Sequence, residues 1–343
     1  MVAVGTYTGK GSEGIYLLSF DPVKGEAHNV GVVKGIKNPS FLTFNSSTNI
    51  LYAVSEDQNG MVYSYAYNQK THQLSPLNQL STGFESPCHV TLDRTGRLLF
   101  VSHYGGGNLT VYKINEDGSI GEKLNSFTYE GNSVNKERQE KSHVHSSIVS
   151  PDNKNLFVAD LGTDKIYHYT INADSLTIQP KSDIVAAPGS GPRHLTIDSS
   201  GKRLFCINEL NATVTVYSID KQVPQLIQTI ATLPVDYSGK KWCADIHLAP
   251  DNKYLYVSNR AHETVSVFSN QDASKEPLKL TGRTGVMGKT PRNFTIDPSG
   301  NFLLVANQDS DNITIFKRDK KSGKITYNKK EVKISLPVCL QFL

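Results

Sequence analysis

Short apolar runs recur along this chain in pairs, each pair joined by a polar turn and followed by a third run. One copy reads PCHVTLDRTGRLLFV from Pro87, then LTVY from Leu109. Two close copies are PRHLTIDSSGKRLFCINEL from Pro192 and PRNFTIDPSGNFLLVANQD from Pro291. Weaker copies begin near Pro39, Val144 and Cys243. Placing the turn at Thr48, Gly96, Asn153, Gly201, Asn252 and Gly300 gives spacings of 48, 57, 48, 51 and 48 residues. A period of about 50 falls in the range of propeller blades.

The runs alternate or are rich in β-branched residues, which predicts strands, and the D-x-x-G and P-D-N-K segments predict tight turns between them. Two such strands, a third and a less regular fourth make one blade of four antiparallel strands. Pro39, Pro87, Pro192, Pro291 and Pro337 stand at the start of first strands, where a missing N–H costs no ladder bond. The C-terminal PVCLQFL reads as a lone first strand, and the N-terminal VAVGTY aligns with second strands. One blade is therefore predicted to combine the last strand with the first three, closing a ring without a free edge. The count is seven blades, in a single all-β domain over residues 1–343, with a β-sandwich or unrelated hairpins as the competing arrangement. The long spacing marks an insertion at Asn125 to Ser142, which reads as a polar surface loop.

Composition agrees: 38% hydrophobic and 20% charged residues in 343 describe a soluble globule with a sizeable core. No apolar run approaches the roughly 18 residues of a membrane-spanning helix, and no secretory signal is visible, so a cytoplasmic protein without membrane association is expected. Cys88, Cys206, Cys243 and Cys339 are far apart, which predicts reduced thiols and no zinc site. The net charge of +4 is small. Its one dense group, Lys320, Lys321, Lys324, Lys329 and Lys330, argues weakly for nucleic acid, which is not expected as a partner, and mildly for anionic ligands.

The blade register locates candidate chemistry, because the start of strand one and the end of strand two lie at the same end of every blade. The residue after the leading Pro reads Ser40, Cys88, His145, Arg193, Ala244, Arg292 and Val338. The end of strand two reads Tyr7, Glu56, Tyr104, Leu161, Glu209, Arg260 and Gln308, preceded by Thr6, His103, Asp160, Asn208, Asn259 and Asn307. This predicts that His145, Arg193, Glu209, Arg260, Arg292, His103 and Gln308 gather at one end, with His89 and His194 on neighbouring positions. Imidazole, carboxylate and guanidinium groups together supply a base and an oxyanion or phosphate clamp. The bland readings are an arginine network with Glu56, Glu209 and Asp160, and asparagines that form turns by bonding their own backbone. His247 and His262 read as structural or solvated, and Cys88 and Cys243 as ordinary buried thiols without an adjacent base. His143-x-His145 lacks a third metal ligand, and the chain has no nucleophile elbow, Walker loop or dinucleotide fingerprint.

The stretches GTYTGKGSEGIY, RQEKSHVHS, GPRHLTID, INEL, DIHLAPDNKYLYVSNR and PRNFTIDPSGNFLLVANQ resemble the seven-bladed propeller lactonases. That family includes the bacterial 6-phosphogluconolactonases and the fungal carboxymuconate lactonising enzymes. The resemblance covers all seven blades and implies catalytic roles for His145 of H-x-H, Arg193 of G-P-R-H, Glu209 of N-E-L and Arg260 of S-N-R. Where the family carries Pro before H-x-H, this chain has Ser142. By resemblance the expected reaction is hydrolysis of 6-phospho-D-glucono-1,5-lactone in the oxidative pentose phosphate pathway, without cofactor or metal. His145 or Glu209 would activate water, and Arg193 and Arg260 would hold the oxyanion. Arg292, His194 or Lys289 would hold the phosphate, with Arg138 and Gln139 of the insertion above it. His143, His89, His103 and Gln308 complete the substrate-binding set. The alternatives are a cycloisomerase or lactonase acting on another anionic lactone, and a non-catalytic binding platform. A monomer is expected, and Trp242, the single tryptophan, is placed to report ligand binding.

Overall fold

The alternating runs form strands that pair into seven antiparallel sheets in a computed structural model describing residues 1–271 and 276–343. The first blade contains β1 (Val2–Thr6), β2 (Gly14–Asp21) and β3 (Glu26–Lys34). The second contains β4 (Leu42–Asn45), β5 (Ile50–Ser55), β6 (Met61–Asn68) and β7 (Gln73–Ser81). The third contains β8 (Pro87–Leu92), β9 (Leu98–His103), β10 (Asn108–Ile114) and β11 (Ile120–Thr128). The fourth contains β12 (Val144–Val149), β13 (Asn155–Asp160), β14 (Lys165–Asn172) and β15 (Thr177–Pro180), with a short fifth strand, β16 (Ile184–Val185), paired to β14. The fifth contains β17 (Pro192–Ile197), β18 (Arg203–Asn208), β19 (Thr213–Ser218) and β20 (Gln225–Ala231). The sixth contains β21 (Cys243–Leu248), β22 (Tyr254–Asn259), β23 (Thr264–Asn270) and β24 (Leu278–Gly285). The seventh contains β25 (Pro291–Ile296), β26 (Phe302–Asn307), β27 (Asn312–Arg318) and β28 (Ile325–Lys333). The last strand, β29 (Pro337–Phe342), completes the first blade in the order β29-β1-β2-β3. The fold is a seven-bladed β-propeller, as the repeat predicts.

Burial explains the uneven regularity of the strands. Every residue of β5, β9 and β26 is buried, so second strands read as continuous apolar runs with both faces covered. Fourth strands such as β7 keep few buried positions, which is why their pattern is weak. The chain forms two compact units, one of Met1–Val32 with Arg193–Phe342, the other of Val33–Pro192 with Leu343. In the first, Val2, Val4, Leu18, Leu304, Ile313 and Ile315 form one apolar cluster, and Phe205, Ile207, Val214, Val257 and Phe268 belong to another. In the second, Tyr52, Val54, Val90, Leu99, Val101 and Tyr112 pack together. Among the described residues no helix is long and apolar enough to cross a membrane.

The turns follow the sequence with one shift. Gly96, Asn153, Gly201, Asn252 and Gly300 all have positive φ, but in the second blade the residue with φ of 58° is Asn49, not Thr48. Asn tolerates the left-handed region better than a β-branched Thr. In the third, fifth and seventh blades an Asp opens the turn and caps it: Asp93 Oδ1 accepts the amides of Arg97 and Leu98 at 2.7 and 2.8 Å, and Asp198 and Asp297 accept backbone amides likewise in their blades. The predicted loop from Asn125 to Ser142 begins later, because β11 runs to Thr128.

The first strands carry a feature that period-two counting does not reveal. Pairing shifts between Pro87 and His89, Val144 and Ser146, Cys243 and Ile246, and Pro291 and Asn293. Each shift is a β-bulge, which releases Cys88, His145, Ala244 and Arg292 from the ladder and re-aims their side chains.

Candidate active site

In the first unit, Arg193, Glu209 and Arg260 meet as the register predicts. Arg193 begins β17 behind Pro192, whereas Glu209 and Arg260 directly follow β18 and β22. Arg193 Nε lies 2.9 Å and Arg260 Nη2 2.6 Å from Glu209 Oε2. Each guanidinium is also anchored to backbone, Arg193 on the carbonyl of Ala244 and Arg260 on that of Cys243 at 2.7 Å. All three residues are at most 3% exposed. Two buried cations face one carboxylate. Burial pushes the Arg260 guanidinium down to about 9; Glu209 opposes this, while Arg193 and Arg292 add to it. The cluster therefore retains positive charge that a further anion would stabilise.

Trp242 belongs to this cluster although the repeat assigned it no role there. Its Nε1 donates to Glu209 Oε1 at 3.2 Å, and the Arg260 guanidinium carbon lies 3.9 Å from its ring centroid. The residue directly precedes β21, two positions before Ala244, where its expected place at the ligand end puts it.

Beside Arg193, His194 donates from Nδ1 to Asp245 Oδ1 at 2.7 Å. Asp245 Oδ2 is 2.9 Å from His247 Nε2 and accepts from Asn293 Nδ2 at 2.6 Å, while Asn293 Oδ1 accepts the Leu340 amide at 2.8 Å. This polar belt joins the first strands of four successive blades, β17, β21, β25 and β29. Burial opposes ionisation of Asp245, but the His247 and His194 contacts outweigh it and hold the carboxyl well below its usual range. Burial, then the Arg193 charge, push His194 down to about 4. The neutral imidazole of His194 is thus favoured and tied to Asp245, the carboxylate that His247 also contacts.

Arg292 Nη2 donates to the Tyr7 hydroxyl at 2.8 Å. Gln308 lies in a single 3-10 turn, with its side-chain amide on Asp309 Oδ1 at 3.1 Å. Lys289 is exposed, and its amide is bound by Ser310 Oγ at 2.8 Å.

In the second unit, His145 is buried, 5.5 Å from the Tyr104 ring in edge-to-face contact. Cys88 Sγ lies 4.0 Å from His145 Nδ1 and directs its thiol toward the carbonyls of His145 and Val144 at 3.4 and 3.6 Å. The expectation of no base near Cys88 is corrected: the contact crosses between two blades, which sequence spacing does not encode. His143 stacks on Tyr104 at 4.3 Å, and its Nδ1 and Nε2 engage the Tyr104 carbonyl and Glu140 at 2.9 and 3.0 Å. Ser142, standing where the family has Pro, donates to Asp160 Oδ2 at 2.7 Å, and Asp160 Oδ1 accepts the His143 amide at 2.8 Å.

The insertion is pinned rather than loose. Gln139 is fully buried, donating to the Leu161 carbonyl at 2.9 Å and accepting the Asn135 amide at 3.2 Å, so its side chain holds the loop itself. Arg138 Nη2 reaches the Tyr104 hydroxyl at 3.2 Å. His103 is fully buried, and burial pushes its pKa down to about 4. His89 packs against Phe41 at 4.1 Å, with Nδ1 facing the Ser147 amide at 3.5 Å.

The asparagines before the strand ends are not turn formers bonding their own backbone. Asn208 donates to Thr213 and Thr215 hydroxyls at 2.9 and 2.6 Å, Asn259 to Thr264 and Ser266, and Asn307 to Thr314. They clamp the second strand to hydroxyls on the third, which period-two alternation places on a shared face.

Comparison with known proteins agrees with this architecture. A family model described as "Lactonase, 7-bladed beta-propeller" matches residues 1–342. A Formosa agariphila protein named 6-phosphogluconolactonase is 37% identical, covering 94% of this chain and 93% of the relative. One of the same name from Bacillus subtilis is 32% identical, covering 99% and 97%. Among solved structures, a periplasmic gluconolactonase of Pseudomonas aeruginosa superposes with a TM-score of 0.93 at 31% identity, covering 100% of this chain and 98% of that one.

Proposed function

The chain belongs to the seven-bladed β-propeller lactonases, and on that footing we propose that it hydrolyses 6-phospho-D-glucono-1,5-lactone to 6-phosphogluconate. The observation that carries this reading is the pair of buried guanidiniums of Arg193 and Arg260 on the single carboxylate of Glu209. Water adds to the lactone carbonyl, negative charge develops on its oxygen, and the ring C–O bond then breaks with its oxygen taking a proton. Arg193 and Arg260, fixed before substrate arrives, stabilise that charge without reorganising. Glu209 orients both guanidiniums, and water activation belongs to His145 or to Glu209, an imidazole suiting that step near neutral pH. The cytoplasm, where glucose 6-phosphate oxidation makes the lactone, is the compartment this reading implies.

The test couples glucose-6-phosphate dehydrogenase, which generates the lactone, to 6-phosphogluconate dehydrogenase, which reports its opening. Saturable acceleration above spontaneous hydrolysis is expected, and it is lost in Arg193→Ala. A folded protein without acceleration directs attention to other anionic lactones.

A further inference from the structure

We propose that Lys240 forms the subsite for the phosphate group of the substrate. The proposal rests on the phosphorylated lactone being the substrate, and adds which residues recognise its charged end.

The ε-ammonium of Lys240 lies 4.3 Å from the Trp242 ring centroid, the same ring that the Arg260 guanidinium approaches at 3.9 Å. The two cations are therefore no more than about 8 Å apart. Both cations are thus within reach of one bound six-carbon lactone that carries a terminal phosphate.

The connection carrying Lys240, residues 232–242, is a built element. The Tyr237 hydroxyl donates to the Ala261 carbonyl at 3.3 Å, and its ring meets His262 edge-on at 4.8 Å. Gly239 passes so close to Tyr237 that a Cβ there would lie 2.3 Å from the hydroxyl oxygen. The lysine is presented over the indole by this packing.

Charge also favours Lys240. Arg193 and Arg260 are engaged by Glu209, and Arg292 by the Tyr7 hydroxyl, whereas Lys240 and Lys241 are exposed and take part in no ion pair among the described residues. The one carboxylate of the connection, Asp236, acts on Arg283 instead. A phosphate dianion brings charge that the Arg193–Glu209–Arg260 cluster does not fully neutralise, and lysine is a common point-charge partner for it.

Two readouts test this. Steady-state kinetics of wild type, Lys240→Ala, Lys241→Ala and Lys240→Arg are compared on the phosphorylated lactone and on unphosphorylated glucono-1,5-lactone. Lys240→Ala should raise KM about ten-fold for the phosphorylated substrate alone, with kcat little changed and Lys240→Arg retaining most of the affinity. Equal effects on both substrates, or none on either, overturn the subsite. Independently, inorganic phosphate should perturb Trp242 fluorescence in wild type and require a higher concentration in Lys240→Ala. If wild type fails to open the phosphorylated lactone, the proposed reaction falls and the phosphate titration alone decides the subsite. A titration unchanged by Lys240→Ala then overturns it.

Discussion

The Nδ1–H of His194 reaches the carboxylate of Asp245 at 2.7 Å, tying the first strand of the fifth blade to that of the sixth. Asp245 is 2% exposed and also receives Asn293, so the same anion joins a third blade. Asp245→Ala leaves buried donors on two strands without an acceptor. The expected cost is about 3–5 kcal/mol, read as a lowered urea midpoint at pH 7, with Asp245→Asn losing less because its amide oxygen still accepts one donor. A midpoint within error of wild type would show that the belt contributes no stability.

Acid should weaken the fold well above the carboxylate range. His103, His168 and His194 are each pushed down to about 4, chiefly by burial. The unfolded chain protonates these imidazoles near pH 6.5, so between about pH 6.5 and 4 it binds up to roughly three more protons than the native state. Stability is complete above that window and is lost as pH falls through it. His247, raised by Asp245 against burial, works in the opposite sense and trims the effect. Urea midpoints at pH 7 and pH 5 check the slope, and His168→Gln should reduce it by about one proton.

Glu209 should be needed for both structure and turnover. Glu209→Gln leaves the guanidiniums of Arg193 and Arg260 facing each other without a countercharge. Activity should fall on the order of 10²-fold or more, with a loss of stability of a few kcal/mol. Arg260→Lys should not restore function in the presence of Glu209, because an ammonium cannot bond both the carboxylate and the Cys243 carbonyl in the same planar geometry.

Cys88 lies near His145, but its thiol faces carbonyl oxygens, which favours the protonated form over a nucleophilic thiolate. Cys88→Ser should keep kcat/KM within a few-fold of wild type, whereas His145→Ala should lose about 10²-fold or more. Abolished turnover in a folded Cys88→Ser protein would transfer the nucleophilic step to the thiol.

The blades were legible because each turn needs a residue at positive φ, and in three of them an Asp cap as well, demands that repeat visibly at Asp93 with Gly96 and at Asp297 with Gly300. Pairing of β29 with β1 could be read for the same reason, since each end of the chain matches a known strand position. The meeting of Arg193, Glu209 and Arg260 also followed from register, because the start of strand one and the end of strand two share one end of the blade, and the fifth and sixth blades are neighbours. What was hidden depends on contacts between blades. The bulges at Cys88 and His145 break strict alternation without an obvious residue signal, and Asp245 looked like any polar strand residue until His194 and Asn293 were placed beside it. Trp242 was expected near this end, but its contacts with Glu209 and Arg260 lie outside the repeat.

The pairing of β29 with β1 also bears on synthesis. Val4 of the first strand made pairs with Leu340 of the last, so β1 to β3 leave the ribosome long before their fourth strand exists. Until then the β1 edge is an open template for a foreign strand. Final assembly joins segments at opposite extremes of the chain, the kind of contact that makes folding slow. The seam that seals the finished protein is thus the place where a nascent one is most exposed to misassociation.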